Sequence, residues 1–376
     1  MKTTRITAIF ALMSLCTSVM ASEVSVVRIM DLETGTLVEN YKSSGSDKLA
    51  RKTQEIGGLS AIAMVSSKKF VALSDARSRP SKGLTRFYKG SFSDNYNQFK
   101  IDDVVVLKNK QGKPFGPNEK DPESLVLLPS GNILWGSEAS HTLIVSDLDG
   151  NQISDVSYLL PAYYKGDNKT IGLRKNQSLE GMSLSPDGTT LFVATESALI
   201  QDGSVSTPTT PSLSRILKFE VDKSSQLKLV GEYGYVVDRI NVQSKYGVHD
   251  NGVSDILAID NNRLLVVERN GYSVKEGYCC FDFDVRVFKV NLTNATNLKG
   301  THSVSDVDAP NPILPAYKSL YFKFSDLVSD QQNYEGLTYG PLVDGKSTLL
   351  FSADNNFQPH QKSQLVLISA PDLEQR

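Results

Sequence analysis

The chain has 376 residues, 40% of them hydrophobic and 22% charged, with a formal net charge of −2. This globular, near-neutral composition excludes a disordered or collagen-like chain and the strongly basic face of a nucleic-acid binder. Three cysteines are too few for a disulfide scaffold, and the length calls for two medium domains or one large repeat-built unit.

Residues 1–21 read as a secretory signal peptide. Lys2 and Arg5 give a positive start, Ile6 to Leu15 an apolar run, and Val19-Met20-Ala21 a small-residue cleavage pattern. The apolar run is too short to cross a bilayer, and no later window offers the roughly eighteen apolar residues a span requires. A periplasmic or secreted address follows, without membrane insertion, and residues 22–376 are expected to form one domain. Cys279 and Cys280 are adjacent. In an oxidising compartment they would form a vicinal disulfide; the alternatives are free thiols or contacts with another chain.

Five segments then repeat one pattern. They run from Gly58 to Arg77, Pro122 to Glu138, Leu179 to Glu196, Ser254 to Arg269, and Tyr334 to Asp354. Each holds a polar or acidic residue, an apolar run, a turn, a second apolar run and a closing acid. Pro129-Ser130-Gly131-Asn132, Ser185-Pro186-Asp187-Gly188, Asp260-Asn261-Asn262 and Asp344-Gly345 supply turn residues that tolerate positive φ. Each segment is therefore a predicted β-hairpin. Further strand-like runs follow, including Thr85 to Tyr88, Val104 to Leu107, Thr142 to Val145, Ile216 to Val221, Leu227 to Val230, Val285 to Val290 and Leu365 to Ile368. Almost no stretch shows a helical period.

Four short antiparallel strands recurring at roughly 60 to 85 residues predict an all-β fold, a β-propeller. Five blades carry the motif, and a sixth, degenerate blade remains open. Long loops are expected at Ile200 to Leu213 and Gly271 to Phe283. Val24 to Met30 is expected to complete the last blade as its outer strand, closing the ring and removing exposed edges.

In a propeller the first strand of each blade lines the axis, and a hairpin returns the second strand to the same end. The inner acids Glu123, Glu180, Asp255 and Glu335, with Ser60 in the first blade, should ring one mouth of the channel. Asp75, Glu138, Glu196, Glu268 and Asp354 should form a second tier. Like charges about 6 Å apart repel by roughly 3 kcal/mol at an effective dielectric near 20, so such a ring needs protons or a cation. Hard carboxylate oxygens select Ca²⁺, with Mg²⁺ or Mn²⁺ as alternatives. The competing reading makes these acids caps for hydrogen bonds between blades, or partners of arginine. Asp75, Glu123, Glu180, Asp255 and Glu335 are the expected metal ligands, and Glu138, Glu196, Glu268 and Asp354 the expected acid–base groups. Arg77 and Arg269 would offer forked donors to an anionic substrate or brace carboxylates. Arg174, Lys175 and His249 are further candidates on the same face, and Trp135 reads as a core residue.

The blocks Asp121-Pro122-Glu123-Ser124-Leu125, Ser178-Leu179-Glu180-Gly181-Met182, Val266-Val267-Glu268-Arg269, Asn333-Tyr334-Glu335-Gly336-Leu337 and Leu350-Phe351-Ser352-Ala353-Asp354-Asn355-Asn356-Phe357 resemble the phytase-like family, also called the esterase-like activity of phytase family. The resemblance runs from about Gly57 to Ile368. It implies an exported propeller that hydrolyses phosphate or other esters. Ser60, where other blades carry an acid, departs from a symmetric ring. Two expectations stand: a Ca²⁺-dependent monomeric hydrolase of a small anionic or ester substrate, or a non-catalytic propeller whose metal stiffens a binding face.

Overall fold

In the computed structural model, residues 24–373 are described apart from 34, 39–47, 167–168, 277–279 and 305–311. The proposed signal peptide and Cys279, hence the state of the vicinal pair, lie outside the described residues. Cys280 is half-buried with φ 57°.

The apolar runs and their turns fold into five four-stranded antiparallel sheets. Strand β1 (Ser25–Leu32) and helix α1 (Lys48–Gln54) come first, and the helix is one element the sequence did not announce. Blade one is β2 (Leu59–Ser66), β3 (Lys69–Ser74), β4 (Arg86–Phe92) and β5 (Phe99–Val106). Blade two is β6 (Pro122–Leu127), β7 (Ile133–Ser137), β8 (Thr142–Ser146) and β9 (Gln152–Asp155). Blade three is β10 (Leu179–Leu184), β11 (Thr190–Thr195), β12 (Ser212–Val221) and β13 (Leu227–Val237). Blade four is β14 (Gly252–Ala258), β15 (Arg263–Ser273), β16 (Phe281–Asn291) and β17 (Tyr317–Lys323). Blade five is β18 (Tyr334–Tyr339), β19 (Thr348–Ala353), β20 (Ser363–Ser369) and β1, so the N-terminal strand closes the ring as expected.

The five first strands neighbour one another in a closed circle, β2–β6–β10–β14–β18 and back to β2. Blades pack face to face, and the core lies between them. Val267, Val285 and Val287 of blade four meet Phe351, Val366 and Ile368 of blade five, all fully or almost fully buried. Each such side chain contributes about 1.5–3 kcal/mol on burial. Trp135 is fully buried as predicted, its indole donating to Ser146 Oγ at 3.0 Å. Among the described residues no helix is long and apolar enough to cross a membrane.

Turn chemistry follows the sequence in three of four cases: Gly131, Gly188, Asp344 and Gly345 have φ of 82°, 71°, 50° and 73°. The Asp260 turn works differently. Its carboxylate accepts the Asn262 and Arg263 N–H groups, both at 2.8 Å, so side-chain bonding replaces positive φ. The two expected long loops are shorter than predicted, because β12 starts at Ser212, β15 runs to Ser273 and β16 begins at Phe281.

One detail of register positions the site. Every first strand carries a bulge at its second or third residue, skipping Ser60, Glu123, Glu180, Ser254 and Glu335. A bulge releases one residue from the ladder and re-aims its side chain. On the second strands, the residues following the matching pairs are Asp75, Glu138, Glu196, Arg269 and Asp354.

Candidate metal centre

Those two columns correct the expected ring in blade four. Its bulge residue is Ser254, not Asp255, and its second-tier residue is Arg269, not Glu268. A slip of one residue in a strand turns a side chain to the other face. Asp255 consequently points between blades: it accepts the N–H groups of Ile256 at 2.7 Å and Leu337 at 2.6 Å, with Met182 at 3.4 Å. It ties the first strands of blades three, four and five together, the inter-blade role weighed against a metal role. Glu268 is saturated. It takes Tyr235 Oη and Lys318 Nζ at 2.7 Å, the Asp238 N–H at 3.1 Å, and Arg286 Nη2 at 3.4 Å. Neither residue stands free at the axis. Glu268→Gln is expected to lower stability by about 1–3 kcal/mol, as half-buried Lys318 and buried Arg286 lose a charged partner, while divalent-cation affinity stays unchanged. Thermal unfolding and cation titration of the variant check both halves.

The other predicted residues converge. Asp75, Glu123, Glu138, Glu180, Glu196, Glu335 and Asp354 are all buried. An eighth acid, Asp121, is completely buried. The sequence reading passed it over, although it stands two residues before Glu123, where blade five places Asn333. Against these eight acids stand Arg77, Lys82 and Arg269. Arg77 pairs with Asp121, and Lys82 with Asp75. Arg269 pairs with Glu335, lies 3.6 Å from Glu196, and donates to Asn333 Oδ1 at 2.8 Å. Among the described residues, Glu123, Glu138, Glu180 and Asp354 have no Lys or Arg within ion-pair distance.

Three of these four acids belong to blades two and three. One ligand oxygen each from Asp121, Glu123 and Glu138 lie within 4.8 Å of one another, and so do oxygens of Glu138, Glu180 and Glu196. Glu138 belongs to both groups. Its Oε1 accepts the Ser178 N–H at 2.8 Å, which fixes the carboxylate between them. Glu180 Oε2 and Asp121 Oδ1 are buried and accept no hydrogen bond. At 4.8 Å each pair of ionised carboxylates repels by about 3.5 kcal/mol at an effective dielectric of 20.

Burial and mutual repulsion shift these acids toward their protonated forms. Burial, then repulsion from Asp121, Glu180, Asp75 and Glu138, pushes Glu123 well above the usual carboxylate range. Burial and the charges of Glu196 and Glu138 do the same to Glu180. Glu138 is brought to about 7, chiefly by burial, opposed by the Ser178 N–H. Burial raises Asp121 to about 6 against the pull of Arg77. Glu196 and Glu335 are raised by burial although Arg269 opposes it, and Asp354 by burial and Asp75. A carboxyl whose folded pKa exceeds its unfolded value stabilises fully below the unfolded pKa and loses that contribution as pH rises through the folded one. The metal-free chain should therefore lose stability between about pH 4.5 and 7, on the order of 3 kcal/mol from Glu138 alone. Melting temperatures in chelator at pH 5 and 7.5 test this; a higher value at pH 7.5 would contradict it.

The secondary candidates separate. Arg174 donates Nε to the Ala198 carbonyl at 3.0 Å and also bonds the Gly203 carbonyl, so it braces a loop. His249 is half-buried and pairs with Tyr272 in a short bridge. Lys175 is exposed and lines a cleft beside the axis.

Solved structures similar to the chain are distant. A proposed 6-phosphogluconolactonase of Bacteroides uniformis is 12% identical with a TM-score of 0.34, covering 78% of each chain. Virginiamycin B lyase of Staphylococcus aureus is 8% identical with a TM-score of 0.32, covering 93% of this chain and 100% of its own. A protein of unknown function from Dyadobacter fermentans is 12% identical with a TM-score of 0.37, over 92% and 99%. No substrate or mechanism follows from likeness at this level. No curated protein matches the chain. Residues 54–357, by contrast, match the model of one family across most of the five blades, and the chain belongs to that family, phytase-like, esterase-like activity of phytase.

Proposed function

We propose that the chain is an exported, monomeric, divalent-cation-dependent hydrolase of phosphate or related esters, with Ca²⁺ the preferred ion. The observation that carries this reading is the pair of carboxylate triads sharing Glu138, with Glu180 Oε2 and Asp121 Oδ1 left unpartnered in the interior. The donor set is all carboxylate oxygen, which suits a hard cation. Oxygens up to 4.8 Å apart fit the span across Ca²⁺, about 4.6–5.2 Å at its usual bond lengths. Glu123, Glu138, Glu180 and Glu196 would hold the ion, which when bound polarises the ester oxygen and acidifies water.

The chain's own groups supply the rest. Asp121, at about 6, is suited to take the proton of the attacking water at Oδ1, the atom without a partner. Arg77 holds Asp121 in place and lines the adjoining cleft, so its guanidinium can meet developing negative charge on the substrate. Arg269 restrains Glu196 and Glu335. Burial and the charge of Asp75 raise the Asp354 carboxyl, against the pull of Lys82. The signal-peptide pattern of residues 1–21 supports export, where Ca²⁺ is abundant. Hydrolysis of phosphate monoesters, diesters and carboxylic esters, with Ca²⁺ and with chelator, tests the reading. Turnover of one class that chelation removes is expected; no turnover of any class with Ca²⁺ bound would favour the non-catalytic propeller.

A further inference from the structure

Beside the axial acids, a cleft of about 930 Å³ opens on the same face, between the loops of blades one, two and three. Its charge is opposite to that of the axis. Arg77, Arg79, Lys165 and Lys175 line it, against one carboxylate, Asp155, already bonded to the Ser157 N–H at 2.9 Å and to the Ser157 hydroxyl. Arg79, Lys165 and Lys175 are exposed, and alone they would be ordinary solvated cations.

What distinguishes the cleft is Lys120 beneath its wall. Lys120 is only 8% exposed and, among the described residues, has no acid within ion-pair distance. Its ammonium donates to Ser140 Oγ at 2.9 Å and Thr142 Oγ1 at 3.0 Å, and both of these residues line the cleft. The Phe115 ring, 5.6 Å from the ammonium, is its other partner, and a buried cation held by two hydroxyls and a ring, with no anion, is costly unless an anion approaches it. Ser140 Oγ donates to Ser137 Oγ at 3.1 Å, while the Thr142 hydroxyl, 2.8 Å from Ser140 Oγ, can bond that oxygen or turn its proton toward the cleft.

We propose that this cleft binds a phosphate-type oxyanion borne by a small molecule, seated on Thr142, Lys165 and Lys175 over the charge of Lys120. The volume exceeds what a free oxyanion fills and lies in the range of small-molecule sites. Arg77 belongs to both cleft and axis, so a molecule anchored here by one anionic group can present another part of itself to Asp121. This names the substrate class for the hydrolase reading and rests on it for the word substrate, but the binding itself does not.

The test is calorimetric titration of the full chain, in chelator so that no cation takes the ligand, with glycerol 2-phosphate and with inorganic phosphate. Both are expected to bind, the ester more tightly. Lys120→Met should weaken both at least tenfold, as should the exposed pair Lys165→Ala with Lys175→Ala, which leaves the fold untouched. Lys223→Ala, on a distant turn of blade three, should change nothing. No saturable binding, or equal affinity in every variant, overturns the proposal, as does phosphate binding tighter than the ester. Because no hydrolysis is read, failure here leaves the metal-dependent reading standing, and loss of that reading leaves this result standing.

Discussion

Glu138→Gln is expected to weaken divalent-cation binding at least about 100-fold and to abolish the cation-dependent hydrolysis. Glu138 is the one acid common to both carboxylate triads, so its loss removes a charged ligand from each. The substitution is nearly isosteric, and the Gln carbonyl still accepts the Ser178 N–H that Glu138 Oε1 accepts at 2.8 Å. The variant should fold, and without metal it should be more stable than the parent. At pH 8 the gain should be about 1–3 kcal/mol, because one of several mutually repelling buried charges has gone. At pH 5 it should vanish, since Glu138, near 7 in the folded chain, is then protonated in the parent as well. Unfolding in chelator at both pH values, with cation titration, reads all three effects. A metal-free variant that is less stable at pH 8 would mean Glu138 is held by partners other than a cation.

Arg269→Met should act in the opposite direction. Its guanidinium is almost buried and serves Glu335, Glu196 and Asn333 at once. Removing one member of a buried ion pair leaves uncompensated charge and costs about 3–5 kcal/mol. For a propeller of this length that is a fall in melting temperature of about 4–7 °C. Lowering the pH toward 5 should recover part of it by protonating Glu196 and Glu335, and adding Glu335→Gln should recover part at neutral pH. Equal losses at both pH values, without rescue by the second substitution, would assign Arg269 to packing alone.

Blade architecture was legible because hairpins announce themselves twice, by alternating apolar runs and by turn residues such as Gly131 and Gly188 with positive φ. Circular closure was legible for a related reason: β20 needed an outer partner, and the N-terminal run that became β1 could supply one. The axial acids of blades three and five were marked by a following glycine. Added side chains would press within 3.0 Å of Ile256 N at Gly181, and 3.1 Å of Ala61 Cα and Ile62 N at Gly336, both on the neighbouring blade's first strand. The dipeptide therefore records how closely first strands approach their neighbours.

Blade four has no such glycine, and each of its strands puts an acid one place from the right column. Ser254-Asp255 and Glu268-Arg269 both invite the slip, and only the bulge register corrects it. Asp121 was missed because no other blade repeats an acid there. Lys82 and Lys120 were missed because they lie outside the repeat, and nothing in local sequence says which acid or hydroxyl a loop lysine will reach.

The most direct measurement is Ca²⁺ titration of the chelator-treated chain at pH 7 in two buffers of different ionisation enthalpy. Saturable binding of at least one equivalent is expected, with protons released as raised carboxyls such as Glu138 and Glu123 ionise around the ion. No binding of Ca²⁺, Mg²⁺ or Mn²⁺, with an unchanged melting temperature, would mean that blades two and three keep their acids neutral by protonation alone.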